Sequence, residues 1–220
     1  MGNEIDDKKT IVVLGAGKGL GASIARRFGK AGYRAILIAR SAGAVTEIAE
    51  RLAVEGVEAH AHVLDVTKDA DVNAAFGEIR EAYGEPDVVV YNVGNTAPDP
   101  EDMDTDELRR HFESDLFGAF TTICAAATDG FAWKKGSILL TGGIAAECPF
   151  PGYDCLAMTK AALRNLARVK NTELSEKGIF VGTVMVCGVI GGDEHFAPDN
   201  IAERFWEMNE ERTSWEMRYE

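Results

Sequence analysis

Between residues 11 and 31 the chain changes periodicity across a run of glycines. Ile11-Val12-Val13-Leu14 is short, apolar and β-branched, which predicts a buried strand. From Ser23 onward Ile24, Ala25, Phe28 and Ala31 recur at helical spacing, and Gly15-Ala16-Gly17-Lys18-Gly19-Leu20-Gly21 stands between the two patterns. A strand that becomes a helix through glycines presents free N–H groups and the positive end of the helix dipole, and the missing side chains let an anion approach. The turn is therefore a candidate cradle for the pyrophosphate of a dinucleotide, with Gly15, Gly17, Lys18, Gly19, Leu20 and Gly21 around it. Position 20 is leucine, so the spacing is G-x-x-x-G-x-G rather than G-x-G-x-x-G. Such turns also serve plain strand-to-helix packing, and that alternative stands beside the binding one.

The alternation continues beyond the turn. Strands are expected at 35–39, 59–64, 88–91, 137–140 and 179–186. Helices are expected at 45–54, 71–83, 105–128 and 153–177, with an acidic, proline-containing loop at 95–104. Apolar strands separated by helices predict an α/β fold, a doubly wound Rossmann-type parallel sheet with helices on both faces. No repeat, low-complexity tract or linker divides the chain, so residues 1–220 are expected to form one dinucleotide-binding domain.

A net charge of −13 argues against nucleic acid or an anionic membrane as a partner. The start, through Thr10, is polar without the apolar core of a leader, Met1-Gly2 lacks the downstream Ser or Thr of a myristoylation site, and no apolar run spans a bilayer. A cytoplasmic protein is expected. Cys124, Cys148, Cys155 and Cys187 show no metal or redox spacing and read as small buried thiols. His60 and His62 alternate on one strand face, read as surface or edge histidines, and no metal site is expected. Residues 193–220 carry nine acids against three arginines, yet Ile201, Phe205, Trp206 and Met208 form a helical stripe, and Trp215, Met217 and Tyr219 alternate like an edge strand. An ordered cap is expected there, with 188–220 forming a shortened substrate lid and edge strand.

The glycines at 15, 19 and 21, followed by Leu64-Asp65-Val66, Asn92-Val93-Gly94 and the block Ser137–Lys160 ending Lys160-Ala161-Ala162-Leu163, resemble the short-chain dehydrogenase/reductase family along nearly the whole chain. The resemblance implies sheet order 3-2-1-4-5-6-7, with the cofactor at the carboxyl ends of the strands. It implies that the Asp65 carboxylate, beside Val66, accepts from the adenine amino group, that Asn92, Val93 and Gly94 flank the cofactor, and that Lys160 holds the nicotinamide ribose. Gly188 falls where the family has the glycine of a Pro-Gly pair, the proline being replaced by Cys187. An NAD site wants a carboxylate at the end of strand two, but the chain offers Ala39-Arg40-Ser41. Arg40 and Ser41 suit a 2′-phosphate and Lys18 is a second basic position, so NADP(H) is expected over NAD(H); the alternative is that both cations are merely solvated.

The departures concern chemistry. The family uses a Ser, a Tyr, a Lys four residues after the Tyr, and an Asn from the fourth helix. Here Lys160 is present, but Leu156 stands at the tyrosine position, Gly143 at the serine position and Asp115 at the asparagine position. Leucine and glycine exchange no proton. Tyr153, seven residues before Lys160, is the candidate substitute acid; the alternative is a tyrosine packed in its loop. Thr141 shares the strand side of the lost serine but is too weak an acid alone. Asp115 either pairs with Lys160 or holds water. Phe196, Phe205 and Trp206 are expected to line a short cover that fits a small apolar carbonyl or alcohol substrate, or none at all. The sequence thus leads to an NADP-dependent oxidoreductase of this type, with Tyr153, Lys160 and Asp115 catalytic; the alternative is a silent NADP-binding sensor or assembly protein. By the same resemblance a homodimer or homotetramer is expected, through Phe112, Phe117, Phe120, Leu163, Leu166 and Val169.

Overall fold

The structure, a computed structural model, describes residues 7–220, so the first part of the polar start, including Met1-Gly2, lies outside the described residues. Seven parallel strands form one sheet in the order β3-β2-β1-β4-β5-β6-β7. They are β1 (Thr10–Leu14), β2 (Arg34–Ala39), β3 (Ala59–Val63), β4 (Val88–Tyr91), β5 (Ser137–Gly143), β6 (Phe180–Val186) and β7 (Glu216–Tyr219). The central strands are buried on both faces, as parallel strands covered by helices must be, and Val12, Val13 and Val89 are fully inaccessible. The strand order reverses between β1 and β4, and at that switch point the connections at the carboxyl ends diverge and leave a crevice.

Two cores result. One lies where α1 (Leu20–Lys30), α2 (Ala42–Val54) and α8 (Pro198–Glu211) cover the sheet, and includes Ile24, Phe28, Val45, Leu52 and Phe205. The other, under α3 (Asp69–Tyr83), α5 (Gly118–Ala126) and α7 (Asp154–Ser175), includes Phe76, Tyr91, Ile123 and Leu163.

The helix expected over 105–128 is interrupted. It runs as α4 (Thr105–Phe112), a π-helical turn (Glu113–Phe117) and α5, and a separate α6 (Asp129–Trp133) starts on the hydroxyl of Thr128, which accepts from the Phe131 N–H at 3.0 Å. Gly118 packs so closely on β4 that a methyl there would lie 2.4 Å from the Tyr91 phenol oxygen. The Tyr91 hydroxyl donates to the Ser114 carbonyl within the turn.

The tail is ordered. β7 adds parallel to β6, and Arg164 and Arg218 link it through Glu216 and Glu147 to α7 and to the segment after β5. The expected cover is corrected here: Phe205 is fully buried in the core, and Trp206 packs on Phe28 and Tyr33 with the Arg27 guanidinium 4.2 Å from its ring centre. Both residues fasten α8 to α1. Leu163, expected in a subunit contact, is 1% exposed and fills the second core. The cysteines also differ from expectation: Cys155 is buried and Cys187 half-buried, but Cys124 and Cys148 are exposed. Among the described residues no cluster of His, Cys, Asp or Glu is arranged to hold a metal, and no helix is long and apolar enough to cross a membrane.

Candidate active site

A cleft of about 870 Å³ opens at the switch point, lined by Gly15, Gly17, Ala39, Arg40, Asp65, Val66, the segment Asn92–Asn95 and one side of α4 with its π turn. Its glycines divide by function. Gly15 has φ +80°, and a methyl there would lie 2.6 Å from the Asn92 carbonyl oxygen; at Gly21 a methyl would lie 2.5 Å from the Gly15 carbonyl oxygen. Those two positions are glycine because backbone packs on backbone. Nothing of the protein lies within 4 Å of where a methyl would stand at Gly17 or Gly19. There the free space is available to a ligand.

The N-terminus of α1 is bare in a second sense. Ser41, Asp104 and Thr128 cap α2, α4 and α6 with their own side chains, whereas Gly19 offers α1 no side chain and its first turn holds no acid. The Ala22 and Ser23 N–H groups already bond the Gly17 and Gly19 carbonyls, and the N–H groups before them, with the positive dipole end, suit a phosphate. The Leu20 side chain is in the core, which leaves only its backbone facing the turn.

Arg40 is exposed, has no ion-pair partner within 4 Å among the described residues, and lines the cleft. Lys18 instead pairs with Glu47 at 2.8 Å on the surface, both side chains more than half exposed. Ser41 spends its hydroxyl oxygen on the Ala44 N–H. Asp65 accepts from the backbone N–H of Thr67 at 3.1 Å and its hydroxyl at 2.9 Å, which with the nearby cations Arg40 and Lys68 keeps its carboxyl below the usual range. Asn92 donates to the Gly15 carbonyl at 3.0 Å and accepts from the Thr141 hydroxyl at 2.8 Å, so it ties the glycine turn to β5.

At the inner end of the cleft lies a buried polar cluster. The Lys160 ammonium donates to the Thr141 carbonyl at 2.7 Å and is 6% exposed. Burial pulls its pKa below the usual lysine value, and the Asp115 charge partly opposes that shift. Asp115, in the middle of the π turn, is 1% exposed and accepts from Ser114 Oγ at 2.6 Å and Thr159 Oγ1 at 3.3 Å. A methyl on Gly94 would stand 3.4 Å from Lys160 Nζ and 3.8 Å from Asp115 Oδ2, so both groups border one small space. No direct ion pair joins them within 4 Å. His111, one turn before Asp115, completes the cluster and was not anticipated; its four-residue spacing from Asp115 on an expected helix was the available signal.

Tyr153 is not in that cleft wall. It is the residue just before α7, half-buried, with its ring on the apolar shelf of Ala145, Leu156 and Ala157 and 4.7 Å from the Phe150 ring centre. Asp99, from the acidic loop, holds this helix start: its N–H donates to the Gly152 carbonyl at 2.8 Å and its carboxylate accepts from the N–H of Asp154. Leu156 is buried in the same shelf, and Gly143 lies at the end of β5 against the Lys160 side chain. Gly188 lies against the Phe196 ring, 2.3 Å from where a methyl would stand, which explains its glycine by packing.

Comparison with known proteins bears on this arrangement. The chain is 30% identical over 185 residues to the short chain aldehyde dehydrogenase 1 of Euphorbia lathyris, covering 83% of this chain and 64% of that one. It is 32% identical over 180 residues to the 3beta-hydroxysteroid dehydrogenase 1 of Eggerthella lenta, covering 80% and 69%. It thus spans about two thirds of the length of these relatives. An alcohol dehydrogenase of the archaeon Thermococcus sibiricus, solved with 5-hydroxy-NADP, superposes with a TM-score of 0.84 at 28% identity, over 96% of each chain. The short chain dehydrogenase profile matches residues 9–194, and with it the glycine turn, the switch-point cleft and the buried lysine: the chain belongs to the short-chain dehydrogenase/reductase family, a family of NAD(P)-using oxidoreductases.

Proposed function

We propose that the protein is an NADP-dependent oxidoreductase that interconverts a small carbonyl compound and its alcohol. The observation that carries this reading is the buried cluster of Lys160, Asp115 and His111 at the inner end of a nucleotide-sized cleft. Burying ionisable groups is costly, and a fold kept only for packing would do better with apolar residues there. The space at Gly17 and Gly19, the bare start of α1 and the cleft wall of Asp65, Val66, Asn92, Val93 and Gly94 fit a dinucleotide. Lys160 would hold the nicotinamide ribose hydroxyls. When bound, the reduced nicotinamide supplies the hydride; the chain must supply the proton.

Tyr153 is the best acid for that proton, standing on the segment that also carries Gly143 and Lys160. Its phenol must swing from the apolar shelf to within hydrogen-bond reach of the substrate oxygen. Arg40 favours a 2′-phosphate, with Lys18 joining once it leaves its exposed partner Glu47. The oxidation of NADPH across a panel of aldehydes and ketones tests the activity, and Tyr153→Phe is expected to lower it by about 10²-fold. NADPH is expected to bind more tightly than NADH, with the gap narrowed in Arg40→Ala/Lys18→Ala; equal affinities in the unmodified chain refute the preference.

A second reading, a silent NADP-binding sensor or assembly protein, is favoured by Leu156, which replaces an acid with an apolar side chain buried on the shelf. Nucleotide binding without turnover across the panel would establish it. We further propose a homodimer or homotetramer of single-domain subunits in the cytoplasm. The contact would use Phe117 and Val169, 49% and 60% exposed, with Phe120 and the ring of Phe112 beside Phe117.

A further inference from the structure

We infer that Arg218 and Tyr219, on the terminal strand, are positioning residues that fasten the two segments leaving β5 and β6 beside the buried lysine, Arg218 through Glu147 and Tyr219 through His195. Their effect on rate rests on the oxidoreductase reading above; their effect on the segments does not.

The placement begins with register. β6 pairs with β5 and β7 so that Gly143, Val186 and Tyr219 lie in one row across the sheet, with Gly142, Met185 and Arg218 in the row before it. A methyl on Gly143 would lie 3.9 Å from the Lys160 side chain, so β7 reaches the level of that lysine. Successive side chains of a strand point to opposite faces, and Arg218 and Tyr219 therefore serve opposite sides of the sheet. Glu216 and Arg218 turn toward α7, where Arg164 pairs with Glu216, whereas Tyr219 packs on the core under α8.

On the α7 side the object held is the segment 144–153, which leads from β5 to α7 and carries Phe150 and Tyr153. Glu147 is its first fastening. One of its carboxylate oxygens accepts from Arg218, and the other lies 2.8 Å from Arg164 Nη2, which also donates to Glu216 on β7 at 2.8 Å. Asp99 is the second fastening, through Gly152 and Asp154. Between the two, residues 148–152 are exposed, and Gly152 takes φ +80° with no protein atom within 4 Å of where a methyl would stand. The ring of Phe150 leans on Tyr153 within this span.

On the other face the object held is the segment that follows Cys187-Gly188. The Tyr219 hydroxyl donates to the His195 carbonyl at 2.7 Å. Its ring stacks on the imidazole, with centres 4.7 Å apart and planes 8° from parallel, and Phe196 stands edge-on to both rings. Phe196 in turn covers Gly188, and the Cys187 N–H donates to the Tyr219 carbonyl at 2.8 Å. Ion pairs this open to water contribute little to stability, so two arginines on one carboxylate are explained by position rather than by energy. Position matters at this level of the sheet, because an ångström of misplacement at reacting atoms costs up to about 10²-fold in rate.

Hydrogen exchange read by mass spectrometry on the full chain tests the fastening, with or without turnover. In Arg218→Ala the amides of 144–153 should exchange about 10-fold faster, while those of β5 and β6 keep the parent rate. In Tyr219→Ala the change should fall on 188–196 instead. Glu147→Gln removes the charge without touching the strand and should reproduce Arg218→Ala, and the two together should exchange no faster than either alone. Parent-like exchange at 144–153 in Glu147→Gln, or acceleration that spreads through β6 and β7, overturns the inference. With NADPH and a substrate from the panel, Arg218→Ala and Glu147→Gln should each lower kcat by about 10-fold while KM for NADPH stays within about 2-fold, and Arg218→Lys should recover part of the loss. An unchanged kcat beside a loosened segment overturns the positioning role. Where the parent chain does not turn over, the oxidoreductase reading fails and the exchange result alone decides the fastening.

Discussion

Gly15, where an added methyl would meet backbone, and Gly17, where it would meet nothing within 4 Å, invite opposite outcomes from the same substitution. Gly15→Ala forces an alanine into a left-handed conformation, which costs about 1–2 kcal/mol. It also drives a methyl to 2.6 Å from the Asn92 carbonyl, a backbone atom that cannot rotate away. Overpacking of that kind costs about 1–3 kcal/mol more. For a chain of this size each kcal/mol moves the melting temperature by about 2–4 °C, so Gly15→Ala should melt roughly 4–20 °C lower than the parent. Gly17→Ala meets no protein atom within 4 Å and should leave the unliganded melt unchanged or slightly raised. Its methyl occupies the space assigned to the pyrophosphate, and affinity for NADPH should fall at least 10-fold, about 1.4 kcal/mol. The assay is thermal melting with and without NADPH. At about 100 times its Kd the nucleotide stabilises the parent by about 2.7 kcal/mol, roughly 5–10 °C; a 10-fold weaker complex retains about half of that shift. A parent-like NADPH shift in Gly17→Ala would refute the assignment of the cradle.

Restoring the missing chemistry is the complementary experiment. Gly143 has extended backbone and a methyl there would clear Lys160 by 3.9 Å, so Gly143→Ser with Leu156→Tyr should fold and raise NADPH-dependent carbonyl reduction by about 10-fold or more; a folded double variant with unchanged turnover refutes the view that these two losses limit the rate. Phe117→Asp with Phe120→Asp should give a 23.8 kDa monomer by sedimentation while the parent sediments as a dimer or larger; a monomeric parent refutes self-association. Acid should loosen the β2–β3 edge. Against the opposing effect of its partial burial, Arg34, Lys8 and His60 hold the Glu58 carboxyl down at about 2. Its contribution, about 1 kcal/mol after solvent screening, is present above the usual carboxylate pKa and is lost as pH falls from about 4.5 toward 2. Melts of Glu58→Gln should therefore lie below the parent at pH 7 and converge with it near pH 2; a constant difference refutes the linkage.

The sheet was legible because its signals are local. β1 through β6 are short apolar runs bounded by turns, and the alternation of periods two and 3.6 needs no tertiary information. Even β7 could be read from Trp215, Met217 and Tyr219. Errors fell where contact between distant segments overrides local pattern. The stripe of Phe205 and Trp206 on α8 is equally consistent with a lid and with a helix docked on α1, and only Phe28, Tyr33 and Arg27 decide between them. Leu163 looked like surface because a periodicity gives a face and not the neighbour that covers it.

The active site divides along the same line. Candidate cofactor residues could be named because a phosphate cradle is a sequence-local object: glycines at a strand-to-helix junction. The buried polar cluster of Lys160, Asp115 and His111 is not local. The interruption of α4 depends on Gly118 lying against Tyr91 and on the Tyr91 hydroxyl reaching the Ser114 carbonyl, a contact between a strand and a helix 23 residues apart. That displacement turns Asp115 inward beside the space at Gly94 and sets His111 behind it. Asp99 acts at similar range, stopping the start of α7 with Tyr153 just outside the helix. A substitution at Asp115, from asparagine to a carboxylate, therefore has to be judged together with His111. The carboxylate replaces a neutral amide, and an imidazole one turn away has its Nδ1 4.0 Å from Asp115 Oδ2. Whether the loss of the usual serine and tyrosine leaves the site silent is what turnover in the Gly143→Ser/Leu156→Tyr variant, set against the parent, decides.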